Sequence, residues 1–398
     1  MNFLVTMSGG TTQVINATLA GCIDAIFEIY PQSKIYIPKP GIAGLFTDNL
    51  FQVKKDADTK KLALLPGSSI TGTTRIKKLN KKEIDNLSTK LDNYKISTWI
   101  NIGGNGTIKQ SKQLSKHLHN INFIALPKTI DNDLGDAEFK KLLYTPGYLS
   151  TIKYIKSHVN SLIRENDGAS HHDKVIISQV FGRETSHIAA IAGLVKNEKI
   201  IILFPESPVT YNTFLKTVKQ KIKNVGGCIV IIPEGYQFLN QEINFDKSFD
   251  LSGQVMWGSS YDTISQQVNN LLNSDGIQTR ICNTTIEQRQ NPHTVDRNDI
   301  ERSYKIGFDS IKHKKAGFSN FFNSIQLRKN IKNKKPYFKT VPIDLEQITD
   351  FNRNFPVEWI SDNKLFVSKE YYNYINSLQE GETIKMIEYL DPNKIIKK

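Results

Sequence analysis

The segment Pro127-Lys128-Thr129-Ile130-Asp131-Asn132-Asp133 concentrates the most chemistry in the shortest stretch of the chain. Two carboxylates at i and i+2 after an apolar strand can divide roles. One can take a proton from an attacking hydroxyl while the other helps to hold a divalent cation. Lys128 beside them offers a point charge to a phosphate. The same residues could also form a plain Asx-rich turn in which Asp131 and Asn132 cap backbone groups. On this segment alone the two readings weigh about evenly.

Other turns carry the same signature. Ser8-Gly9-Gly10-Thr11-Thr12, Gly103-Gly104-Asn105-Gly106, Phe181-Gly182-Arg183 and Pro233-Glu234-Gly235 each follow a short apolar run. Singly, a glycine pair of this kind means tight packing. Together, turns at the ends of strands describe a crevice in which backbone N–H groups can meet anions.

The elements that must position these turns are readable from periodicity. Strands are expected at Met1–Met7, Thr98–Ile102, Phe123–Leu126, Val175–Val180, Lys199–Phe204 and Cys228–Ile232. Helices are expected at Ile15–Tyr30, Thr107–His119, Glu184–Val195 and Tyr211–Val225. Strands alternating with helices imply parallel sheets covered on both faces. The last ninety or so residues are less regular. Pro336, Pro342 and Pro356 argue there for an extended arm closed by a short helix. His171-His172-Asp173 reads as a surface turn, because adjacent histidines on a strand would point to opposite faces.

A chain of 398 residues, 39% hydrophobic and 23% charged, exceeds what one core usually supports and suits two or three domains. The composition excludes collagen-like, disordered and disulfide-scaffold classes. No apolar run approaches the length needed to span a membrane, and the first ten residues lack the basic and apolar regions of a signal peptide. Three separated cysteines, Cys22, Cys228 and Cys282, without a CxxC pair point to a reducing cytoplasm. The net charge of +13 draws on Lys312 to Lys335, which holds eight Lys/Arg and no acid. No nucleic-acid-binding motif accompanies it, and the segment reads as a solvated face.

Read in order, these motifs resemble the phosphofructokinase family, specifically its longer pyrophosphate-dependent type. Ser8-Gly9-Gly10 with Val14–Ala17 resembles the opening turn and helix. Gly67-Ser68-Ser69 through Gly72–Arg75 is similar to the segment whose arginine reaches the phosphoryl donor. Gly103–Thr107 and Pro127–Asp133 resemble the donor and catalytic loops. Thr145–Tyr148 with Lys153–Ile155 looks like a helix start found in the long branch. Phe181-Gly182-Arg183 stands where the family has Met-Gly-Arg. Arg280, Gln288-Arg289, Val295-Asp296 and Tyr304–Gly307 resemble the sugar-phosphate end, and Val341-Pro342 through Trp359 the C-terminal arm of that branch.

The resemblance implies two Rossmann-like three-layer α/β domains with mainly parallel sheets. One would take residues 1–143 and about 255–310 and bind the donor; the other would take 144–254 and about 311–398 and bind the sugar phosphate. Asp131 would be the base on the 1-hydroxyl of fructose 6-phosphate. Lys128, Thr129 and Arg183 would act on the transferring phosphoryl group. Gly9, Gly10, Arg75, Gly104, Asn105, Gly106 and Thr107 would line the donor site. Lys174, Gly182, Glu234, Arg280 and Arg289 would hold the sugar phosphate. Asn105, Asp131 and Asp133 would hold Mg²⁺. A homodimer or homotetramer in the cytoplasm, with neither membrane nor nucleic acid as partner, completes the expectation.

Two positions sort donors in the family. Pyrophosphate users carry Asp after the Gly-Gly-Asp/Asn run and Lys after the catalytic-loop proline; short bacterial ATP users carry Gly at both. This chain has Gly106 and Lys128, one of each. The whole-chain resemblance leans to pyrophosphate and Gly106 to ATP. Lys174 stands where short members place an arginine that reaches a neighbouring subunit's sugar phosphate, and Ile286 replaces a polar sugar contact. A related kinase with a changed acceptor therefore stays open. A relative released from catalysis would have no physical reason to keep Asp131, Asp133, Arg183, Glu234, Arg280 and Arg289 together.

Overall fold

The computed structural model describes residues 1–65, 69–74, 79–169, 171–239, 263–330, 336–348 and 353–378. The chain begins with β1 (Asn2–Met7), α1 (Ile15–Ile29), β2 (Ile35–Pro38), α2 (Ala43–Phe46), β3 (Leu50–Gln52), α3 (Thr59–Ala63) and α4 (Lys81–Asn93). It continues through β4 (Ile96–Gly103), α5 (Asn105–Ser115), β5 (Asn122–Pro127) and α6 (Tyr148–Ala169). Next come β6 (Val175–Val180), a 3-10 helix at Ala189–Val195, β7 (Ile200–Ile202), α7 (Tyr211–Val225), β8 (Cys228–Pro233), α8 (Ile264–Ser274), β9 (Thr279–Ile281) and α9 (Glu287–Gln290). The described chain closes with α10 (Arg297–Lys315), β10 (Phe321–Lys329), β11 (Pro336–Asp344) and α11 (Lys369–Leu378).

The strands build two sheets. One has seven strands in the order β11-β10-β5-β4-β1-β2-β3, the other four in the order β7-β8-β6-β9. Pairing is parallel throughout the second sheet and antiparallel in the first only at its edges, β2 with β3 and β10 with β11. The inner strands β6 and β8 are buried at every residue, as expected of parallel strands covered on both faces. Helices start and stop where local chemistry says they should. Asn80 and Glu83 form a capping box ahead of α4. Thr210 caps α7, and Gly226 ends it in a left-handed conformation.

The two-sheet α/β architecture matches the expectation, but the division of the chain differs. β10 pairs in parallel with β5, Phe321 opposite Ile124, so the stretch after residue 310 extends the first sheet. β9 pairs with β6 and belongs to the second sheet. The basic stretch is correspondingly not one solvated face. Lys312, Lys314 and Lys315 complete the last turn of α10, where cations favour the helix dipole. Phe321 to Gln326 is buried sheet. Lys332, Lys334 and Lys335 lie outside the described residues. His171 and His172 form an exposed turn. Among the described residues no helix is long and apolar enough to cross a membrane.

Candidate active site

Parallel strands point their C-terminal ends the same way, and the turns singled out by sequence sit at those ends. In the first sheet, the backbone N–H of Ser8 donates to Ile102 O at 3.0 Å and that of Lys128 to Gly103 O at 2.9 Å, so the turns after β1, β4 and β5 are adjacent. The Ser8 and Thr107 hydroxyls are hydrogen-bonded, joining the first turn to the start of α5. The Lys128 side chain is 2% exposed. Its ammonium donates to Ser8 O at 2.8 Å and to Gly10 O. The lysine thus fixes the Gly9-Gly10 turn as well as placing charge beneath it.

In the second sheet, the N–H of Glu234 donates to Val180 O at 3.0 Å and that of Gly235 to Gly182 O at 3.3 Å. The Phe-Gly-Arg and Pro-Glu-Gly turns are therefore zipped together. α9 then bridges the two sheets. Gln288, fully buried, accepts the Phe181 N–H at 3.1 Å and, through its carbonyl, the Thr151 hydroxyl at 2.9 Å. The Arg289 guanidinium passes over the Phe181 ring at 5.5 Å and lies directly on Gly10. A Cβ at position 10 would overlap Nη1 and stand 3.2 Å from Cζ, so this approach requires glycine.

Thr129, Asp131, Asn132 and Asp133 form the catalytic-loop candidate. The Thr129 hydroxyl donates to Asp131 Oδ2 at 2.9 Å and accepts the Asp131 N–H at 3.2 Å, orienting that carboxylate. The Asn105 amide reaches Asp133 Oδ2 at 3.4 Å. Asp133 is partly exposed as a residue, while its carboxyl is enclosed by protein. Burial first, then the charge of Asp131, push it up to about 7, against the pull of Arg353 and Arg183. Glu234, 9% exposed, is raised to about 7 by burial and by the same Asp131 charge, against Arg183 and Arg289. Asp131 is therefore within electrostatic reach of both other carboxylates, and Arg183 faces both of those.

Asp131 and Asp133 with the Asn105 amide oxygen are hard oxygen donors of the kind Mg²⁺ takes. That ion commonly uses one or two carboxylates and completes its shell with phosphate and water. Among the described residues there is no cage of three or more His, Cys, Asp or Glu side chains; a two-carboxylate site needs none.

Two expected residues are not brought to this cleft. Lys174 precedes β6 at its N-terminal end, and Arg280 pairs in register with Ile176. At about 3.3 Å per residue they lie roughly a strand length from Gly182. Arg280 is instead held by Asp173, Nε to Oδ2 at 2.6 Å. Arg75 lies outside the described residues, as do Gly67 and Ser68.

The structure also adds residues that the motifs did not announce. Arg353 is fully buried beneath the catalytic loop and Tyr374 beside it. Asp299 fills the start of α6, accepting the N–H groups of Gly147 at 3.1 Å and Ser150 at 3.0 Å. Arg353 stands inside the stretch that resembles the C-terminal arm, but nothing local marks it as buried.

Glycine turns, paired carboxylates and converging arginines at the carboxyl ends of two parallel sheets define a phosphoryl-transfer protein. The family model for phosphofructokinase matches residues 2–310, and the chain belongs to the phosphofructokinase family. It is 26% identical over 399 residues to a pyrophosphate–fructose 6-phosphate 1-phosphotransferase of Methylococcus capsulatus, covering 96% of this chain and 92% of that one. It is 28% identical over 232 residues to a probable ATP-dependent 6-phosphofructokinase of Mycoplasma genitalium, covering 57% of this chain and 66% of that protein. The fold is similar to the crystal structure of a pyrophosphate-dependent phosphofructokinase from Marinobacter aquaeolei, with a TM-score of 0.80 and 24% identity over 96% of this chain and 92% of that one.

Proposed function

We propose that the protein transfers a phosphoryl group from pyrophosphate to the 1-hydroxyl of fructose 6-phosphate, giving fructose 1,6-bisphosphate and orthophosphate. The observation that carries this reading is the convergence of Asp131 and Asp133 from the first sheet with Glu234 from the second and Arg289 across the bridge between them. The full-length similarity to pyrophosphate-dependent relatives supports the choice of donor.

Asp131 takes the proton of the 1-hydroxyl as its oxygen attacks the terminal phosphorus and the bridging P–O bond of the donor breaks. Thr129 keeps the Asp131 carboxylate aimed. Arg183 offsets negative charge that develops on the phosphoryl oxygens, and Glu234 accepts sugar hydroxyls. Arg289 holds the 6-phosphate with its forked guanidinium. The donor lies along the Gly9-Gly10 turn and the start of α5, where backbone N–H groups face it. Asn105, Asp131 and Asp133 would hold Mg²⁺, which supplies charge neutralisation on the donor phosphates.

Lys174 and Arg280, turned away from their own cleft, would reach the sugar phosphate of a second copy, making a homodimer the working unit. A glycolytic role of this kind places the protein in the cytoplasm. One observation favours a second reading with ATP as donor. A Cβ at Gly106 would meet nothing within 4 Å, so the donor side is open to a larger molecule. Purified protein with fructose 6-phosphate and Mg²⁺, given pyrophosphate and ATP in parallel, tests both readings.

A further inference from the structure

Asn132 stands between the two loop carboxylates in a left-handed conformation, φ +53°, which asparagine tolerates better than most residues but which still needs support. That support comes from far along the chain. Arg353, 0% exposed, gives four hydrogen bonds here. Its backbone N–H donates to Asp133 O at 2.6 Å, Nε to Asn132 O at 3.0 Å, Nη2 to Asn132 Oδ1 at 2.8 Å and Nη1 to Leu142 O at 2.7 Å. The Asn132 amide in turn donates to the Tyr374 hydroxyl at 2.9 Å, which donates to Leu143 O at 3.0 Å. Thr145 N–H completes the set on Asn132 Oδ1 at 3.0 Å.

The geometry excludes a simple ion pair. Among the described residues no carboxylate lies within ion-pair distance of the guanidinium, which stacks instead on the Phe139 ring at 3.9 Å. Its charge faces Asp133 and Asp136 from behind the loop. A buried, unneutralised cation is costly unless every donor is used and its field is needed. Gly135 shows the fit: in its left-handed conformation (φ +130°), an added Cβ would stand 3.1 Å from Nη1 and 3.3 Å from Leu142 Cβ.

We propose that Arg353, with Tyr374 as its second anchor, is a positioning residue for phosphoryl transfer. The C-terminal arm reaches under the catalytic loop, clamps Asn132 and thereby fixes the separation and direction of Asp131 and Asp133. The inference rests on the proposed reaction for its kinetic consequence and on the hydrogen bonds alone for its structural one. Both are measurable.

The test compares Arg353→Lys, Arg353→Met and Tyr374→Phe with the native full-length protein. The readouts are steady-state kinetics with fructose 6-phosphate and pyrophosphate, and amide hydrogen exchange. Misplacing the carboxylates by a fraction of an ångström should lower kcat of Arg353→Lys about 10–100-fold, with both KM values held within about threefold. Exchange should rise about tenfold in peptides covering 129–136 and stay native in β1 and β4. Tyr374→Phe should show a smaller effect of the same kind. If Arg353→Met does not fold, Arg353→Lys decides alone. Native kcat with native exchange in Arg353→Lys would overturn the proposal. So would exchange accelerated uniformly across the sheet, which marks general stability, or a rise in KM at constant kcat, which marks substrate binding. If the native protein turns over neither donor, the proposed reaction fails and the exchange comparison still decides the clamp.

Discussion

Arg289 of α9 rests on Gly10, and through that contact the arginine proposed for the sugar phosphate touches the turn proposed for the donor. The obstacle to a larger residue at 10 is the far end of a flexible side chain, not backbone. Gly10→Ala should therefore fold and displace the guanidinium. Losing a charge-assisted phosphate contact costs about 1.5–3 kcal/mol, which predicts a rise in the fructose 6-phosphate KM of roughly 10–100-fold. Unchanged sugar KM in the alanine variant would separate Arg289 from the 6-phosphate.

Glu234, proposed to receive the sugar hydroxyls, should make sugar binding sensitive to pH. Burial and the Asp131 charge raise it to about 7, so the ligand-free protein carries it partly protonated near neutrality. If the anion receives the sugar hydroxyls, kcat/KM for fructose 6-phosphate should fall at least about tenfold per pH unit below 7, because Asp133, also raised to about 7, protonates on the same limb. Glu234→Gln should flatten that limb. Stability runs the other way. A carboxyl raised on folding contributes most below its ordinary range, and that contribution is lost as pH rises through about 7. Melting curves from pH 5 to 8 should therefore drop more steeply for the native protein than for Glu234→Gln.

Arg280 and Lys174 supply a test of the assembly. Among the described residues Arg280 pairs with Asp173, at a half-exposed position, and such pairs are worth about 0–1 kcal/mol. Arg280→Ala should leave the melting temperature nearly native while raising the sugar KM about tenfold or more. Mixing Arg280→Ala with Asp131→Asn protein should restore activity in hybrid dimers whose intact cleft borrows an intact arginine. Absence of any recovery in verified hybrids would place Arg280 outside the site of the second copy.

How much of this was readable depended on the range of the interactions involved. Val175–Val180 and Tyr211–Val225 are found at their expected bounds, because the β-branched apolar start Val175–Ile177 and a Thr-to-Gly capping pair are local signals. The expected helix from Glu184 instead begins at Ala189 as a 3-10 helix. There the Ser186 N–H is taken by Glu206 at 2.9 Å, a partner twenty residues away. The Pro-rich arm reads as extended, yet β10 finds its partner in β5, some two hundred residues earlier. The site shows the same division: turns and carboxylates are local motifs and Arg289 follows from the ordered resemblance, whereas the burial of Arg353 exists only once the arm has folded under Asn132.

Gly106 has open space around it, so Gly106→Asp should be tolerated by the fold. A carboxylate there would crowd and repel the part of a nucleotide beyond its β-phosphate, while pyrophosphate ends before it. kcat/KM for ATP should fall at least ~10-fold more than that for pyrophosphate. Equal losses for both donors would remove position 106 as the selector.

In the proposed reaction Asp131 drives phosphoryl transfer from pyrophosphate to fructose 6-phosphate. Phosphorus NMR of the native protein with fructose 6-phosphate, pyrophosphate and Mg²⁺ reads it directly. The account predicts a new 1-phosphomonoester and orthophosphate appearing in equal amounts, with the rate reduced about 10²–10⁴-fold in Asp131→Asn at nearly native KM. Pyrophosphate left intact by the native protein while ATP is consumed, or an Asp131→Asn variant that keeps most of its turnover, would contradict it.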